Sequence, residues 1–467
     1  MGRSMSVSDL NVAKSSHRDS NEPYSGYYLR YVPQHDPEIT HTGPGTAMGE
    51  FMRRHWIPVC LSQQINDLPV AVKVMHEELV VFRDNSGKIG VLHKHCSHRG
   101  TSLEYGIVSD RGIRCCYHGW LFSVDGRILE TPGEPLDSRL KNTVIHGAYP
   151  AVECDGLVFA YMGPPAEKPE FPKRETFDRD DVEKIPFLVN HNNNWFQTYE
   201  NMMDPVHSVF LHSRMTGLQL SKSFGEIPHV EYEETHNGSG LVYISKRRLP
   251  NDKIWVRHVH FRFPNEAHFG TLFDVGDKDL FFRRVYVTRW VVPHDDRSCT
   301  FYGWRFFNDD LPGGDRDRIG INTIDFDGQS EGPNYETKQR IPGDWEVQAG
   351  QRAIAIHALE HRASTDAGVT LLRQMLRQAV RKERPSAWPP ESVIGAHATR
   401  PSFSNPRYTY SQDSVLTVPE RINKEEDWNL LGEVGHQVTE ILYQADAFNH
   451  ADRDAFVKMK LRELTKN

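Results

Sequence analysis

The sequence has few cysteines, no long hydrophobic run and no excess of basic residues. Only six of its 467 residues are cysteine, and their spacing is not that of a secreted disulfide-bonded domain. No apolar stretch reaches the ~18 residues of a membrane span, and the polar N-terminus lacks the apolar core of a signal peptide. The formal net charge of −8 offers nucleic acid no positive field. These absences predict a cytoplasmic protein that binds neither membrane nor nucleic acid, with cysteines that are reduced or metal-bound.

The chain is too long for one ordinary hydrophobic core, which predicts two domains. A proline-rich, charged stretch, YMGPPAEKPEFPKRETFDRDD, is typical of a linker between them. We therefore expect an N-terminal extension over residues 1–45, a first domain over residues 46–165 and a second over residues 180–467. No G-x-G-x-x-G fingerprint follows a predicted strand, so the chain is not expected to bind its own nicotinamide cofactor.

Half of the cysteines lie in one short segment with two histidines, in the pattern C-x-H-x16-C-x2-H. The residues are Cys96, His98, Cys115 and His118. A structural zinc site usually takes like pairs, whereas one Cys and one His from each of two loops suit two metal ions better. Two thiolates on one iron and two imidazoles on the other make a Rieske [2Fe-2S] cluster. Short strands with Asn-Gly and Asp-Gly type turns flank both loops and predict a small antiparallel β-domain.

A second group of metal-ligating side chains follows the linker, in the stretch NNNWFQTYENMMDPVHSVFLH. Its apolar spacing predicts a helix that begins after Asn193 or Asn194 as N-cap. His207 and His212 are five residues apart, which a straight helix would rotate apart by about 140°. We expect Pro205 to kink or break the helix so that the two imidazoles converge on one ion.

Two histidines and one carboxylate, with open coordination positions, form the facial triad of non-haem iron(II) enzymes that activate oxygen. The residue pattern alone leaves the identity of the acid open. The candidates are Glu200, Asp204, Glu360 and Asp366.

These motifs together resemble the oxygenase component of the Rieske non-haem iron aromatic-ring-hydroxylating oxygenases, close to the phthalate dioxygenase-like group. The resemblance runs from about Thr42 to Val380 and consists of CSHRG, CCYHGW, ENMMDPVHSVFLH and STDAGVTLLRQML in that order. It implies an α+β fold, with an N-terminal Rieske β-domain and a C-terminal helix-grip (START-like) catalytic domain. It also implies ligands for one cluster and one mononuclear Fe(II): Cys96, His98, Cys115 and His118 for the cluster, and His207, His212 and Asp366 for the iron. Asp204 matches the acid that bridges the two metal sites.

The resemblance implies a terminal oxygenase in aromatic compound catabolism. Such an enzyme uses O2 to hydroxylate an aromatic substrate, here expected to be a carboxylate of the phthalate or benzoate type. Its electrons would come from an NAD(P)H-dependent flavin and iron-sulfur reductase or from a ferredoxin. The expected assembly is a homotrimer or a pair of stacked trimers. O-demethylation of a methoxylated aromatic acid is an alternative on the same scaffold, and a Rieske electron carrier without oxygenase activity is an alternative of another class.

Three further features bear on function. Residues 357–361, HALEH, fit the H-x-x-E-H pattern of a zinc hydrolase, which would require both histidines on one helix. The Gly/Asp/Pro-rich stretch between Phe306 and Glu346 predicts a long loop that serves as a lid or a subunit contact. Predicted strands carry Arg257, Arg262 and Arg289, which either bind a substrate carboxylate or face solvent.

Overall fold

The computed structural model describes residues 23–27, 29–215, 218–235, 238–270, 281–308, 316, 319–321, 334–382, 403, 405–420 and 423–465. The chain forms two compact units, one of residues Met1–Asp36 with Ile356–His361 and one of residues Pro37–Ala355 with Arg362–Asn467. In the smaller unit, Ser25–Tyr27 and His357–Leu359 are single 3₁₀ turns. Most of the loop predicted between Phe306 and Glu346 lies outside the described residues, and the predicted boundaries at residues 46, 165 and 180 stay predictions.

The HALEH segment is not a helix. Its 3₁₀ turn ends at Leu359, and Glu360 has extended backbone with φ −78° and ψ 145°. Extended backbone at Glu360 separates His357 from His361, so the two imidazoles do not lie on one helical turn as the zinc-hydrolase pattern requires. The structure therefore gives no support to that alternative.

The N-terminal part of the larger unit consists of short antiparallel strands. In chain order they are β1 (Trp56–Leu61), β2 (Val70–Val74), β3 (Glu77–Arg83), β4 (Ile89–His93), β5 (Ile107–Ser109), β6 (Gly112–Arg114), β7 (Leu121–Phe122), β8 (Ile128–Glu130), β9 (Ala148–Tyr149), β10 (Ala151–Cys154) and β11 (Leu157–Tyr161). They pair as three sheets in the orders β1-β11-β10, β2-β3-β4-β9 and β5-β6-β7-β8. The two Cys/His loops follow β4 and β6, as the sequence predicts.

The remaining strands form one large antiparallel sheet. They are β12 (Glu183–His191), β13 (His229–Thr235), β14 (Gly240–Leu249), β15 (Lys253–Arg262), β16 (Glu266–Phe269), β17 (Phe282–Arg284), β18 (Val287–Asp295), β19 (Ser298–Phe307) and β20 (Gln412–Thr417). The main path is β12-β19-β18-β16-β15-β14-β13, and β20 pairs with both β15 and β17.

Helices cover both faces of this sheet. In chain order the helices are α1 (Pro37–Thr40), α2 (Ala47–Arg53), α3 (Leu140–Thr143), α4 (Glu175–Asp178), α5 (Trp195–Asn201), α6 (His207–Val209), α7 (Tyr335–Arg340), α8 (Asp344–Gly350), α9 (Ala367–Arg381), α10 (Lys424–Ala445) and α11 (His450–Leu464). Alternate residues of β14 point to opposite cores. Leu241 and Tyr243 share one core with α5, whereas Val242 and Ile244 share another with α10. The expected α+β architecture, a small β-domain followed by a helix-covered sheet, is confirmed.

Helix α9 packs against α5 through apolar and ionic contacts. Four buried apolar side chains line its inner face, Leu371, Leu372, Met375 and Leu376, as its sequence pattern predicts. Arg373 on the same face makes a buried two-pronged ion pair with Glu200 of α5, with N–O distances of 2.8 and 2.9 Å.

Among the described residues, no helix is both long enough and apolar enough to cross a membrane.

We expect Arg373→Met to destabilise the protein strongly, because it leaves Glu200 buried without its counter-charge. Loss of one partner of a buried pair costs about 3–5 kcal/mol. Arg381→Met is the matched control: it removes a two-pronged pair with Glu38 from the same helix, at an exposed position where the cost is below about 1 kcal/mol. Urea midpoints measured by circular dichroism test this. Equal shifts for the two variants would contradict it.

Candidate metal centres

The helix that carries the two histidines is interrupted and then continues with wider turns. Helix α5 begins after Asn194, whose side chain accepts a hydrogen bond from the backbone of Phe196, so the predicted N-cap is confirmed. Helix α5 ends at Asn201, and helical structure resumes at His207. The break falls around Pro205, as expected.

A π-helix over Phe210–Met215 follows directly and includes His212. Its i→i+5 hydrogen-bond pattern brings residues five apart over each other, which an α-helix does not. The ring centroids of His207 and His212 are 5.3 Å apart. Pro205 precedes both histidines, and His207 lies just before the π-helix. The wider turns between Phe210 and His212, which the sequence pattern did not predict, therefore contribute to their convergence.

The carboxylate that meets these histidines belongs to Asp344, the first residue of α8. Its Oδ1 lies 3.4 Å from Nε2 of His207 and 3.2 Å from Nε2 of His212. Asn201 at the end of α5 also approaches this oxygen, at 3.4 Å. One ligand atom from each of the three residues lies within 4.8 Å of the others. Two imidazoles and one carboxylate therefore converge in the arrangement of a facial triad.

The electrostatics of this group favour a cation. Burial alone would raise the pKa of the Asp344 carboxyl, but the charges and hydrogen bonds of His212 and His207 outweigh burial and hold it well below its usual range. Burial acts to lower the pKa of His207, and the hydrogen bond and charge of Asp344 overcome this and raise it. A carboxylate oxygen and an imidazole lone pair at 3.2 Å repel each other unless a proton or metal ion lies between them. The donor set thus fits a divalent metal ion.

The structure does not bring Asp366, the ligand predicted from the sequence, to the two histidines. Asp366 precedes α9, and its Oδ2 accepts a hydrogen bond from the backbone of Ala363 at 2.6 Å. Asp344 joins the two histidines instead, although the sequence pattern predicts that Asp344 lies at the end of a long loop. One local signal existed: Gly343-Asp344-Trp345-Glu346 opens a helix with Glu346 bonded back to the backbone of Gly343 at 2.9 Å.

The remaining candidate acids have other surroundings. Glu200 pairs with Arg373, and Glu360 belongs to the smaller unit. Asp204 lies beside the triad and not in it: its Oδ1 accepts hydrogen bonds from the backbone of Val206 and His207, at 2.7 and 3.3 Å. Its Oδ2 is 3.7 Å from Nδ1 of His207. The side chain is 28% exposed, so this carboxylate lies between His207 and the surface.

Arg247 of β14 holds the segment that carries His207. Its guanidinium is buried and donates to the carbonyl of Pro205 at 2.8 Å and to Oγ of Ser208 at 3.1 Å. The other nitrogens donate to Ser245 Oγ and the carbonyl of Glu226. Every nitrogen of this side chain therefore serves the fold, and the guanidinium fixes the segment to the sheet.

A cavity of about 100 Å³ opens beside the triad. This volume suits one small organic molecule. Its wall combines aromatic and apolar side chains with the guanidinium groups of Arg247, Arg257 and Arg289. Arg262, a third sequence candidate for substrate binding, donates instead to the backbone of Tyr408. The lining residues are Asn201, Met202, Asp204, Pro205, His207, Ser208, His212, Leu220, Phe224, Tyr243, Arg247, Arg257, Phe269, Gly270, Tyr286, Val287, Arg289 and Asp344.

The two Cys/His loops have the same turn geometry. Gly100 and Gly119 both have φ of 75°, which favours glycine, and donate to the carbonyls of Cys96 and Cys115 at 2.8 and 3.0 Å. Each loop thereby folds back four residues after its cysteine. None of the six cysteines forms a disulfide.

The four predicted cluster ligands divide into a buried and an exposed pair. Cys96 and Cys115 are 4% and 3% exposed, and burial, assisted by the neighbouring Cys115, raises the pKa of the Cys96 thiol to about 11. His98 and His118 are exposed, with ring centroids 4.5 Å apart, and His98 stacks on Trp120. Adjacent buried thiols beside two paired imidazoles fit a cluster with one thiolate-bound and one imidazole-bound iron.

Comparison with known proteins identifies the domain that carries the two Cys/His loops and the family of the whole chain. The Rieske [2Fe-2S] domain family matches residues 55–141, which implies a 2Fe-2S cluster. The tert-butanol monooxygenase / tert-amyl alcohol desaturase oxygenase subunit of Aquincola tertiaricarbonis is 42% identical over 94% of this chain and 96% of its own length. The phenoxybenzoate dioxygenase subunit alpha of Ectopseudomonas oleovorans is 36% identical over 76% of this chain and 88% of its own length.

The fold is also that of a solved structure. The crystal structure of dicamba monooxygenase bound to dicamba superposes with a TM-score of 0.55 at 16% identity, over 71% of this chain and 98% of that one. The expected resemblance to the phthalate dioxygenase-like group is confirmed. The alternative of a simple electron carrier is wrong, because relatives that match 94%, 76% and 60% of this chain are named as subunits of monooxygenases or dioxygenases. The chain belongs to the Rieske non-haem iron oxygenases and is their oxygenase component, an oxidoreductase.

Proposed function

We propose that His207, His212 and Asp344 hold one mononuclear iron(II) ion. The observation that carries this proposal is the convergence of their three ligand atoms at the wall of the cavity. Bound there, iron would supply the activation of O2 for insertion into a substrate bond. The chain positions the substrate beside these ligands and surrounds it with apolar side chains that exclude water.

The cluster proposal assigns Cys96 and Cys115 to the buried iron and His98 and His118 to the exposed one. Exposed imidazoles provide the point at which an electron enters or leaves at the protein surface. Oxygenase components of this family receive electrons from a separate reductase or ferredoxin. Since this chain has no dinucleotide fingerprint, we propose an NAD(P)H-dependent reductase as its partner, and the cytoplasm as its location.

The cavity supports a small aromatic carboxylate as substrate. Phe224, Tyr243, Phe269 and Tyr286 offer ring faces. Three buried guanidinium groups line the cavity with two carboxylates, Asp204 and Asp344. Arg257 also pairs with buried Asp413 at 3.7 Å, so one positive charge remains once a metal ion takes up the charge of Asp344. Burial lowers the pKa of Arg289 to about 10, so it stays cationic near neutral pH. An anionic substrate would offset the surplus of positive charge.

Within that surplus, Arg257 and Arg289 are the better candidates for substrate binding. Every nitrogen of Arg247 already donates to a protein oxygen, including two oxygens of the segment that carries His207. Arg257 stacks on Phe224, and Arg289 on Phe269, with guanidinium-to-ring distances of 5.6 and 5.4 Å. Both stacked guanidinium groups line the cavity, where a carboxylate on an aromatic ring would meet them.

A second candidate substrate is a small branched alcohol. The relative named a tert-butanol monooxygenase aligns with 94% of this chain. Met202, Leu220 and Val287 line the same cavity and would pack against a tertiary alkyl group. O-demethylation of a methoxylated aromatic acid uses the same charged cavity and is distinguished by its products.

We further propose a head-to-tail homotrimer in which Asp204 bridges two metal sites. Apolar side chains are exposed near Asp204, at Phe210, Met215 and Leu218, and near the cluster loops, at Tyr105 and Tyr117. Contact between these two different surfaces on successive copies is head-to-tail, and it forms a ring when the rotation between copies closes after three. The Asp204 carboxylate would then accept hydrogen bonds from His207 and from a cluster histidine of the neighbouring copy, which would orient both rings.

The metal assignment predicts three irons per chain with separable losses. His98→Ala should remove the visible absorbance of the cluster. Asp344→Ala should keep that absorbance, lose the third iron and abolish turnover, because the two ligand sets share no residue. Asp366→Asn is the control and should retain all three irons. Measurements of iron, acid-labile sulfide and absorbance test this. Loss of the third iron from the Asp366 variant alone would show that Asp366, as expected from the sequence, is the ligand.

The substrate proposal predicts different responses of acids and alcohols to Arg289→Met. The change keeps a long side chain on Phe269 but removes the charge. We expect KM for a benzoate-type substrate to rise on the order of 10- to 100-fold, since hydrogen bonds to charged groups contribute about 1.5–3 kcal/mol. The KM for tert-butanol should not change. Product analysis with a reductase over benzoates, phthalates, methoxybenzoates and tertiary alcohols measures this; an unchanged KM for every acid would exclude Arg289 from substrate binding.

The bridging role predicts that Asp204→Asn slows electron delivery without loss of either metal site. The amide cannot accept as strongly from two imidazoles, so reoxidation of the reduced cluster should slow on the order of 10- to 100-fold. Rapid-mixing absorbance with substrate and O2 measures the rate, and sedimentation measures the assembly. A fully active monomer, or a variant that reoxidises at the wild-type rate, would rule out the bridge.

A further inference from the structure

Gln219 contacts the segments of two of the three triad residues at once. It follows the π-helix, and its backbone N–H donates to the carbonyl of His212 at 2.9 Å. Its side-chain Oε1 lies 2.9 Å from Nδ1 of His212. Its side-chain Nε2 donates to the carbonyl of Pro342, two residues before Asp344, at 2.9 Å.

These two contacts determine how the amide is oriented. A backbone carbonyl only accepts hydrogen bonds, so the amide nitrogen of Gln219 must face Pro342. The amide oxygen then faces His212, and because that oxygen also only accepts, Nδ1 of His212 must carry a hydrogen. The neutral ring consequently has its lone pair on Nε2, the nitrogen that faces Asp344.

The same side chain also limits relative movement of the ligands. Pro342 and Gly343 lead into α8, which begins with Asp344. A shift of this segment away from the π-helix would break the Gln219–Pro342 bond or the Gln219–His212 bond. His207 has no such link, since its Nδ1 faces Asp204 at 3.7 Å.

We propose that Gln219 is a positioning residue of the metal site, which fixes His212 as the Nδ1–H tautomer and couples that ring to the segment carrying Asp344. The inference rests on the proposed function of the triad. Mutation of a residue that hydrogen-bonds a metal-ligating histidine typically lowers metal affinity 10- to 100-fold.

The test uses the whole protein with its cluster intact, after a chelator has removed the mononuclear metal. Co²⁺ alone is the probe, titrated by calorimetry and examined by EPR with the cluster oxidised. Gln219→Met should bind Co²⁺ on the order of 10- to 100-fold more weakly and give more than one Co²⁺ spectrum, because both tautomers become populated. Gln219→Glu keeps an acceptor for His212 and should restore a single spectrum.

Gln197→Met is the matched control. Gln197 donates to the carbonyls of Gln348 and Arg352, at 2.8 and 3.0 Å, and so holds the other end of α8 without contact to His212. It should leave the Co²⁺ affinity and the single spectrum unchanged, and cluster absorbance reports folding in every variant. If the wild-type protein binds no Co²⁺, the proposed triad itself fails. If wild type binds and Gln219→Met matches it, or if Gln219→Glu also gives more than one Co²⁺ spectrum, the positioning role is wrong.

Discussion

One buried carboxylate between two imidazoles is the constraint on which the catalytic half of the structure depends. Asp344 is 8% exposed and faces His207 and His212 at 3.4 and 3.2 Å. A charge in that position costs several kcal/mol unless a positive group compensates it. A divalent cation bound by all three side chains would provide that compensation. The need to present two Nε2 atoms to one oxygen explains the unusual backbone around them.

Two local devices meet that need. The π-helix begins between His207 and His212, and its wider turns bring His212 round towards His207. Arg247 then fixes the preceding loop to the central sheet through the carbonyl of Pro205. The Arg247 nitrogens donate to backbone and hydroxyl oxygens. Arg247 therefore supports the metal-ligating segment, whereas Arg257 and Arg289 line the rest of the cavity. Under the proposed function, holding the metal-ligating segment and binding the substrate would fall to different side chains.

The sequence allowed the fold and most of the site to be predicted, for physical reasons that differ between residues. Cys96, His98, Cys115 and His118 lie close in sequence, so their spacing indicates cluster chemistry directly. Asp344 and Asp366 both begin helices, and nothing local distinguishes them as ligands: packing of α8 against α5, which the chain achieves across more than 140 residues, selects Asp344. The π-helix was equally invisible, because its residues do not differ in kind from those of an α-helix.

Burial differs between the two metal-ligating groups in a way that bears on electron flow. The thiols of the cluster loops are buried and the imidazoles exposed, so an electron is most accessible at the histidine side. In the group of His207, His212 and Asp344, His207 is 23% exposed, and its Nδ1 faces Asp204, which is 28% exposed. Each site therefore presents a histidine edge outwards. In the proposed ring of subunits, a contact between two copies would join these edges through one carboxylate. This geometry supports the proposal more than the apolar side chains around it do.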